Sequence, residues 1–113
     1  MQNSLDGRTV AVTGANGFLG TVLCKQLAAS AGSVRAIVRD RDRSKHLADL
    51  AVDVMAADVR EYDQLAKAIS GCDYVFHVAA LFRQQGVSDQ VFRDINVGGT
   101  ENALRAAQAA GVT

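Results

Sequence analysis

Several residue types are missing or scarce in this chain of 113 residues. It has no proline and no tryptophan, and its cysteines are Cys24 and Cys72. These two form no Cys-x-x-Cys pair and have no ligand-like spacing to a histidine. We therefore expect two reduced thiols, as is typical of a cytoplasmic protein, and neither a disulfide nor a metal site.

The chain also lacks net charge and long apolar runs. Its 12 basic and 12 acidic side chains give a formal net charge of zero, which implies neither a nucleic acid nor a membrane surface as partner. No apolar run reaches the roughly 18 residues that a membrane-spanning helix needs. The first residues do not combine a basic region with a long apolar one, so they do not indicate a secretory signal.

Apolar strand patterns alternate with helical patterns along the chain. We predict strands at residues 8–13, 34–39, 52–57 and 73–79, and a long last helix from residue 88 or 89 to about 110. The alternation favours an α/β fold with a parallel, doubly wound sheet, and right-handed crossovers then give the strand order 3-2-1-4. This is the Rossmann type, which normally continues to about six strands. We expect residues 1–113 to be the N-terminal part of a dinucleotide-binding domain, with the rest of the fold and the substrate domain absent.

A glycine-rich turn with Gly14, Gly17 and Gly20 joins the first strand to the first helix. A helix N-terminus aims unpaired backbone N–H groups and partial positive charge at whatever lies in front of it. Glycine removes the side chain that would hold a phosphate at a distance. The turn therefore predicts a site for a dinucleotide pyrophosphate. The alternative is a tight strand–helix turn without a ligand.

Arg39 ends the second predicted strand, at the position that reaches the adenosine ribose in this topology. An acidic residue there would bind both ribose hydroxyls and select NAD, whereas arginine offers a planar charged fork to the 2′-phosphate of NADP. We therefore favour NADP over NAD as the cofactor. Asp40 follows directly, and the alternative interpretation is a solvated charged loop.

Asp58 and Val59 follow the third predicted strand. The carboxylate of Asp58 can accept a hydrogen bond from the adenine amino group, while Val59 contacts the ring. Because Asp58 precedes Glu61 by three residues, a helix-capping role is an equal alternative, and the two roles are compatible.

The fourth predicted strand ends in His77, which small residues follow: Val78, Ala79 and Ala80. Small side chains at this point would let the cofactor backbone pass close by. We interpret His77 itself as a packed, hydrogen-bonded strand residue rather than a catalytic base.

The last predicted helix contains Asn96, Gly98 and Gly99 in its interior. Each glycine costs about 1 kcal/mol of helix stability relative to alanine. Residues with such a cost indicate either a close contact between helices or a ligand, and the sequence leaves both open.

Taken together, these segments resemble the extended short-chain dehydrogenase/reductase family, in its NAD-dependent epimerase/dehydratase group. The resemblance rests on residues 13–20 (TGANGFLG), 38–40 (VRD), 58–59 (DV), 77–80 (HVAA) and 96–100 (NVGGT), in order and at suitable spacing. Within the group, residues 34–40 are most similar to the dihydroflavonol-reductase-like and 3β-hydroxysteroid-dehydrogenase-like branches.

The resemblance implies a set of cofactor-binding residues. In the reductase branch, the arginine at the strand end and a following lysine hold the 2′-phosphate, which corresponds here to Arg39 and Lys45. The expected cofactor-binding residues are Gly14, Asn16, Gly17, Phe18, Leu19, Gly20, Arg39, Lys45, Asp58, Val59, Val78, Ala79, Ala80 and Asn96. The glycines would approach the pyrophosphate, and the last four residues the nicotinamide side.

The resemblance also implies chemistry that these residues do not complete. In the family, the tyrosine of a Tyr-x-x-x-Lys motif exchanges a proton with a substrate oxygen, while hydride passes to or from the nicotinamide. Tyr62 and Tyr74 are followed four positions on by Ala66 and Val78 instead of lysine. We expect the full-length parent to be an oxidoreductase or epimerase acting on a small-molecule hydroxyl or carbonyl substrate. The 113 residues themselves should hold no catalytic residue and show no turnover.

Two other roles follow from the same family. Some relatives with a similar glycine turn are sensors or scaffolds that bind NADP without catalysis. The last helix also often helps to form a homodimer, and alanines at positions 103, 106, 107 and 110 would allow close approach of a partner helix.

Overall fold

The computed structural model describes residues 5–79 and 88–112. Its strands are β1 (Thr9–Thr13), β2 (Ser33–Val38), β3 (Asp53–Ala56) and β4 (Tyr74–His77). Its α-helices are α1 (Phe18–Ala28), α2 (Tyr62–Ile69), α3 (Asp89–Arg93) and α4 (Gly99–Ala109). A π-helical segment, Asp94–Gly98, joins α3 to α4, and 3₁₀ turns form at Arg41–Arg43 and Lys45–Asp49. Most of the loop predicted after β4 lies outside the described residues.

The strands form one parallel sheet in the order β3-β2-β1-β4. The predicted fold class and strand order are therefore confirmed. In the register between the strands, Thr13 at the end of β1 faces Ile37 on β2 and His77 on β4. Since the strands are parallel, their carboxyl ends meet at one edge of the sheet, where the site described below is found.

Helices cover both faces of the sheet. On one face a core cluster joins β1 and β2 to α2 and α4, through Ala11, Ile37, Leu65, Ile69, Ala103 and Ala106. On the other face a second cluster joins the same strands to α1 and the 3₁₀ turns, through Val10, Val12, Cys24, Leu27, Val38 and Leu47. Successive β1 side chains enter opposite clusters, as the two-residue period of a strand requires. This burial on both faces explains why β1 reads as a continuous apolar run.

Both cysteines are free and buried. Burial raises the pKa of the Cys24 thiol to about 11. Burial also raises the pKa of Cys72. Each thiol therefore stays protonated at neutral pH and behaves as a small apolar side chain.

The long last helix is interrupted at the place where the sequence contains Asn96 and two glycines. A Cβ atom on Gly99 would lie 2.7 Å from Cγ2 of Val59, so Gly99 is required by close packing against the residues after β3. The packing alternative for this position is thus confirmed. A Cβ atom on Gly98 would meet nothing within 4 Å among the described residues, so their packing places no such constraint on this position.

Several boundaries differ from the prediction by one to three residues. The first helix ends at Ala28, and Gly32, expected to terminate it, instead packs against the backbone of Gly7. β3 and β4 are shorter than predicted at both ends. Among the described residues, no helix is long and apolar enough to cross a membrane.

Candidate functional site

A cleft of about 520 Å³ opens at the carboxyl ends of the strands. Its walls come from the turn after β1, the segments after β2 and β3, the end of β4 and the π segment. The lining residues are Gly14, Asn16, Gly17, Phe18, Leu19, Gly20, Ile37, Arg39, Asp40, Ala57, Asp58, Val59, Val78, Ala79 and Ile95. A cleft outside the carboxyl ends of parallel strands is where open α/β sheets bind ligands.

Each glycine of the first turn has a different steric role. Gly14 has φ +66°, and a Cβ there would lie 2.7 Å from the backbone of Ala79. A Cβ on Gly20 would lie 2.1 Å from the carbonyl oxygen of Gly14, so the first helical turn packs directly on the strand–helix connection. Within residues 5–79 and 88–112, a Cβ on Gly17 would meet only that same oxygen, at an ordinary 3.5 Å. Gly14 and Gly20 are therefore required by the fold, whereas Gly17 is not.

The N-terminus of α1 lies on the cleft wall, which includes Gly17, Phe18, Leu19 and Gly20. Gly17 is the N-cap, no side chain among the described residues caps the helix, and its first turn holds no acidic residue. Phe18 and Leu19 are 90% and 63% exposed at the rim. The first backbone N–H groups and the positive end of the helix dipole are thus free to bind an anion.

The segment after β2 supplies charged side chains. Arg39 is exposed on the cleft wall. The carboxylate of Asp40 accepts a hydrogen bond from the backbone N–H of Asp42 at 2.9 Å, and its carbonyl accepts one from the buried hydroxyl of Ser44 at 2.8 Å. Asp40 therefore shapes the turn, and both Arg39 and Asp40 line the cleft.

The segment after β3 holds an ion pair at the cleft edge. Arg60 donates to both carboxylate oxygens of Asp58, at 3.1 Å from Nε to Oδ1 and 2.7 Å from Nη2 to Oδ2. Hydrogen bonds from Arg60 hold the pKa of Asp58 below its usual value, with smaller help from the charge of Arg39. The alternative role of Asp58 as a helix cap is wrong, because α2 begins after Glu61 and has no side-chain cap.

The wall formed by β4 is fixed through Thr13, a polar residue with no exposed surface at the end of β1. Its Oγ1 accepts hydrogen bonds from the backbone N–H groups of Val78 and Ala79, at 3.0 and 3.1 Å. It also lies 2.8 Å from Nδ1 of His77. His77 is therefore a hydrogen-bonded strand residue, as the sequence indicated.

The structure brings most of the predicted site residues together, and two of them do not line the cleft. Lys45 begins the second 3₁₀ turn, away from the cleft wall. Asn96 lies in the π segment, but its neighbour Ile95 lines the cleft in its place. A third predicted residue, Ala80, lies outside the described residues.

Sequence reasoning missed four lining residues: Ile37, Asp40, Ala57 and Ile95. The apolar three look like core residues in the sequence, since burial in a core and burial along a cleft wall select the same side chains. Position was the available signal, because Ile37 and Ala57 are each at or next to a strand end.

Comparison with known proteins connects this geometry to a family. A sequence model of the 3-beta hydroxysteroid dehydrogenase/isomerase family matches residues 11–113. The chain is 38% identical over 109 residues to 3 beta-hydroxysteroid dehydrogenase/Delta 5-->4-isomerase of Mycobacterium tuberculosis, covering 91% of the chain and 29% of that protein. It is 42% identical over 81 residues to dihydroflavonol 4-reductase of Dianthus caryophyllus, covering 65% of the chain and 22% of that protein. The chain thus spans less than a third of either relative's length.

Solved structures share the fold. A dTDP-glucose 4,6-dehydratase, DesIV, from Streptomyces venezuelae with NAD bound matches with a TM-score of 0.77 and 29% identity, over 91% of this chain and 36% of that one. The NADPH-dependent quinone oxidoreductase QOR2 from Escherichia coli, in complex with NADPH, matches with a TM-score of 0.72 and 28% identity, over 91% of this chain and 34% of that one.

Proposed function

Because the chain belongs to the 3-beta hydroxysteroid dehydrogenase/isomerase family, we propose that its cleft binds a nicotinamide adenine dinucleotide. The observation that carries the proposal is the uncapped N-terminus of α1 behind a glycine turn, at the carboxyl edge of a parallel sheet. Neighbours of the same fold that are described with NAD and with NADPH support this class of ligand.

In the proposed arrangement the pyrophosphate lies across the glycine turn. Gly17 supports this placement because it is the N-cap of α1, so the unpaired N–H groups that would bind the pyrophosphate begin beside it. Asn16, Phe18 and Leu19 flank the same anion-binding end of α1. Val78 and Ala79 would border the nicotinamide half, and Asn96 and Ala80 stay weaker candidates for it.

The adenosine half would lie between the segments that follow β2 and β3. Val59 is buried beside the cleft and offers an apolar surface to the adenine ring. Asp58 is held ionised by Arg60, and a carboxylate can still accept a hydrogen bond from the adenine amino group through a remaining lone pair.

We favour NADP over NAD because the guanidinium of Arg39 is exposed on the cleft wall, after the strand end that reaches the adenosine ribose in this topology. A guanidinium beside the ribose can bind the 2′-phosphate through two parallel hydrogen bonds. Lys45 would contribute to binding of the 2′-phosphate only through its positive charge. Since structural neighbours are described with either cofactor, the choice must come from this chain's own residues.

The activity proposed for the full-length parent is hydride transfer between the cofactor and a hydroxyl or carbonyl group of a small-molecule substrate. The names of the relatives support an oxidoreductase. Within residues 1–113 no tyrosine has a lysine four positions on, so we propose that they bind the cofactor without turnover. A non-catalytic NADP-binding sensor is the alternative, and a Tyr-x-x-x-Lys motif in the parent gene would reject it.

Two further properties stay proposals. Residues 1–113 would form the first part of a larger dinucleotide domain, which agrees with the share of each relative that they span. A homodimer through the last helix would use its exposed apolar residues, Val97 and Leu104, because Ala103 and Ala106 are already buried in the core. Sedimentation at several concentrations tests the dimer. A cytoplasmic location stays a prediction.

Titration calorimetry of NADPH and NADH into the purified chain tests the proposed function. We expect saturable binding of both, with NADPH the tighter ligand, and no oxidation of NADPH by the chain with carbonyl compounds. Absence of binding for both dinucleotides would reject the proposal.

A further inference from the structure

His77 lies on β4, beside the cleft but not in its lining. Both of its ring nitrogens are hydrogen-bonded. Nδ1 lies 2.8 Å from the hydroxyl oxygen of Thr13 on β1. Nε2 lies 3.2 Å from the hydroxyl oxygen of Thr100 on α4. The ring therefore connects the central strand of the sheet to the helix that follows the π segment.

The direction of each hydrogen bond follows from counting donors. Thr13 Oγ1 already accepts from the N–H groups of Val78 and Ala79, so its own hydrogen must point to Nδ1 of His77. Thr100 donates its hydroxyl hydrogen to the carbonyl of Asn96 at 2.7 Å, so it must accept from Nε2. A single protonation state satisfies all these bonds, namely a neutral ring with the proton on Nε2.

The two ends of this chain of hydrogen bonds hold two walls of the cleft. At one end are the backbone amides of Val78 and Ala79, against which Gly14 packs without room for a Cβ. At the other end is the carbonyl of Asn96 in the π segment, next to Ile95, which lines the cleft. π-helical turns are frequent at functional sites.

We propose that His77, as the neutral Nε2–H tautomer, is a positioning residue for the dinucleotide site, tying the Val78–Ala79 wall to the π segment that carries Ile95. The inference rests on the proposed function, because its consequence is measured as cofactor affinity.

Protonation would break this arrangement. A proton on Nδ1 would face the hydroxyl hydrogen of Thr13, whose two acceptor positions are taken by the backbone amides. The groups that meet the ring, the hydroxyls of Thr13 and Thr100, are uncharged. A cavity beside the ring is lined by further residues that carry no charge: Val75, Ala103, Leu104, Ala107, Gln108 and Val112. Burial lowers the pKa of His77, in agreement with a neutral ring. Dinucleotide binding should therefore weaken as the pH falls through the pKa of His77.

The test measures the Kd of NADH by fluorescence, from above to well below the ordinary histidine pKa of 6.5, because burial lowers the pKa of His77. NADH is chosen because it has no 2′-phosphate that titrates in this range. In the wild type we expect the Kd to rise as the pH falls. His77→Asn keeps an acceptor for Thr13 but loses the donor to Thr100. It should raise the Kd at high pH by about tenfold, the usual effect of one hydrogen bond, and remove the pH dependence.

Two further variants make the result specific. His46→Asn replaces the other histidine of the chain, an exposed residue, and should keep the pH dependence. Thr100→Val removes the hydroxyl that accepts from His77 and should raise the Kd. The double variant with His77→Asn should bind no more weakly than His77→Asn alone, because both substitutions break the same chain of hydrogen bonds. Thermal unfolding of each variant, followed by circular dichroism, separates lost affinity from lost folding.

The outcomes separate this inference from the proposed function. Wild-type binding whose Kd does not change with pH, or a folded His77→Asn variant with wild-type affinity, overturns the inference and leaves the proposed function standing. A ¹⁵N NMR spectrum with the neutral proton on Nδ1 overturns it without any ligand. If the wild type binds neither NADH nor NADPH, the proposed function fails and the inference fails with it.

Discussion

The turn after β1 and the loop after β2 border the same cleft, but they are built in different ways. The turn is made of backbone: Gly14 and Gly20 are fixed by contacts too short for a Cβ, and no side chain in the described residues caps the helix behind them. The loop is made of side chains: the carboxylate of Asp40 closes a turn at Asp42, and Arg39 extends along the cleft wall.

This difference separates the ability to bind from the choice of ligand. A backbone site with a helix dipole accepts any dinucleotide, because the pyrophosphate is common to all of them. A guanidinium beside the ribose distinguishes a 2′-phosphate from a hydroxyl. Mutations in the turn should therefore affect folding or all dinucleotide binding, and mutations in the loop should affect one cofactor more than the other.

The largest effect is expected for Gly20→Ala. Helix propensity alone would favour alanine by about 1 kcal/mol. The new Cβ would lie 2.1 Å from the Gly14 carbonyl oxygen, which is backbone and cannot move aside freely. Forcing a methyl group into such a contact costs about 1–3 kcal/mol. We expect a lower midpoint of urea unfolding.

Gly98→Ala is the matched control for that substitution. Gly98 has helical backbone angles, and in the described part of the chain no atom lies within 4 Å of its Cβ position. Alanine there should stabilise the chain by about 0.5–1 kcal/mol. If Gly20→Ala stabilises the chain as Gly98→Ala does, the close packing of the turn is refuted.

Gly17→Ala should separate binding from folding inside the turn itself. The Cβ meets the Gly14 oxygen at an ordinary 3.5 Å, so the expected cost to folding is that of a less favourable N-cap, and the unfolding midpoint should fall only slightly. The same methyl group would stand where the pyrophosphate approaches, and we expect the Kd of both NADPH and NADH to rise by about tenfold or more. Calorimetry with both cofactors measures this change. Unchanged affinity would show that the pyrophosphate does not bind at the glycine turn.

Arg39→Ala should weaken the binding of NADPH and leave the binding of NADH nearly unchanged. A charge-assisted hydrogen bond contributes about 1.5–3 kcal/mol, so the Kd of NADPH should rise by about tenfold to a hundredfold. The Kd of NADH should change little. Arg41→Ala removes an exposed arginine of the same loop that does not line the cleft, and should leave both affinities near the wild type. Equal losses for the two arginines would point to general charge instead of 2′-phosphate recognition.

The smallest effect is expected at the ion pair after β3. Arg60→Ala removes the main cause of the lowered Asp58 pKa, so that pKa should rise toward its ordinary value of 3.8 in an NMR titration. A carboxyl whose pKa is lowered by folding stabilises the fold above its unfolded pKa and loses that contribution as the pH falls through its folded pKa. Since the pair is partly exposed, the variant should lose only about 0.2–1 kcal/mol near neutral pH and nothing in strong acid. An unshifted Asp58 pKa would contradict the assigned partner.

The elements that sequence predicts well are those set by local pattern. The alternation of apolar runs and helices, together with the handedness of crossovers, predicts the strand order. The spacing of Gly14, Gly17 and Gly20 between an apolar strand and an amphipathic helix predicts the turn, because few other local structures place glycines in this order. The position of Arg39 on the cleft wall is predictable because the end of a parallel strand has one location in this topology.

The features that sequence missed depend on contacts between distant segments or on the exact path of a loop. The spacing of Asp58 and Glu61 suggested a helix cap, but the carboxylate pairs with Arg60 instead. Whether Lys45 reaches a bound phosphate depends on the path of the 3₁₀ turns, which place it outside the residues that line the cleft. Thr13 could have been recognised, since a buried hydroxyl at the end of an apolar strand needs partners, and His77 is its register neighbour across the sheet.

The most direct test of the central claim is a ¹H–¹⁵N NMR titration of the wild-type chain with NADPH. If the cleft is a dinucleotide site built on the glycine turn, the amides of Gly17, Phe18 and Leu19 at the start of α1 should shift strongly and saturate together. The amides of α4 around Leu104, which does not line the cleft, should stay in place. Shifts confined to α4, or no saturable shift at the start of α1, would contradict the account.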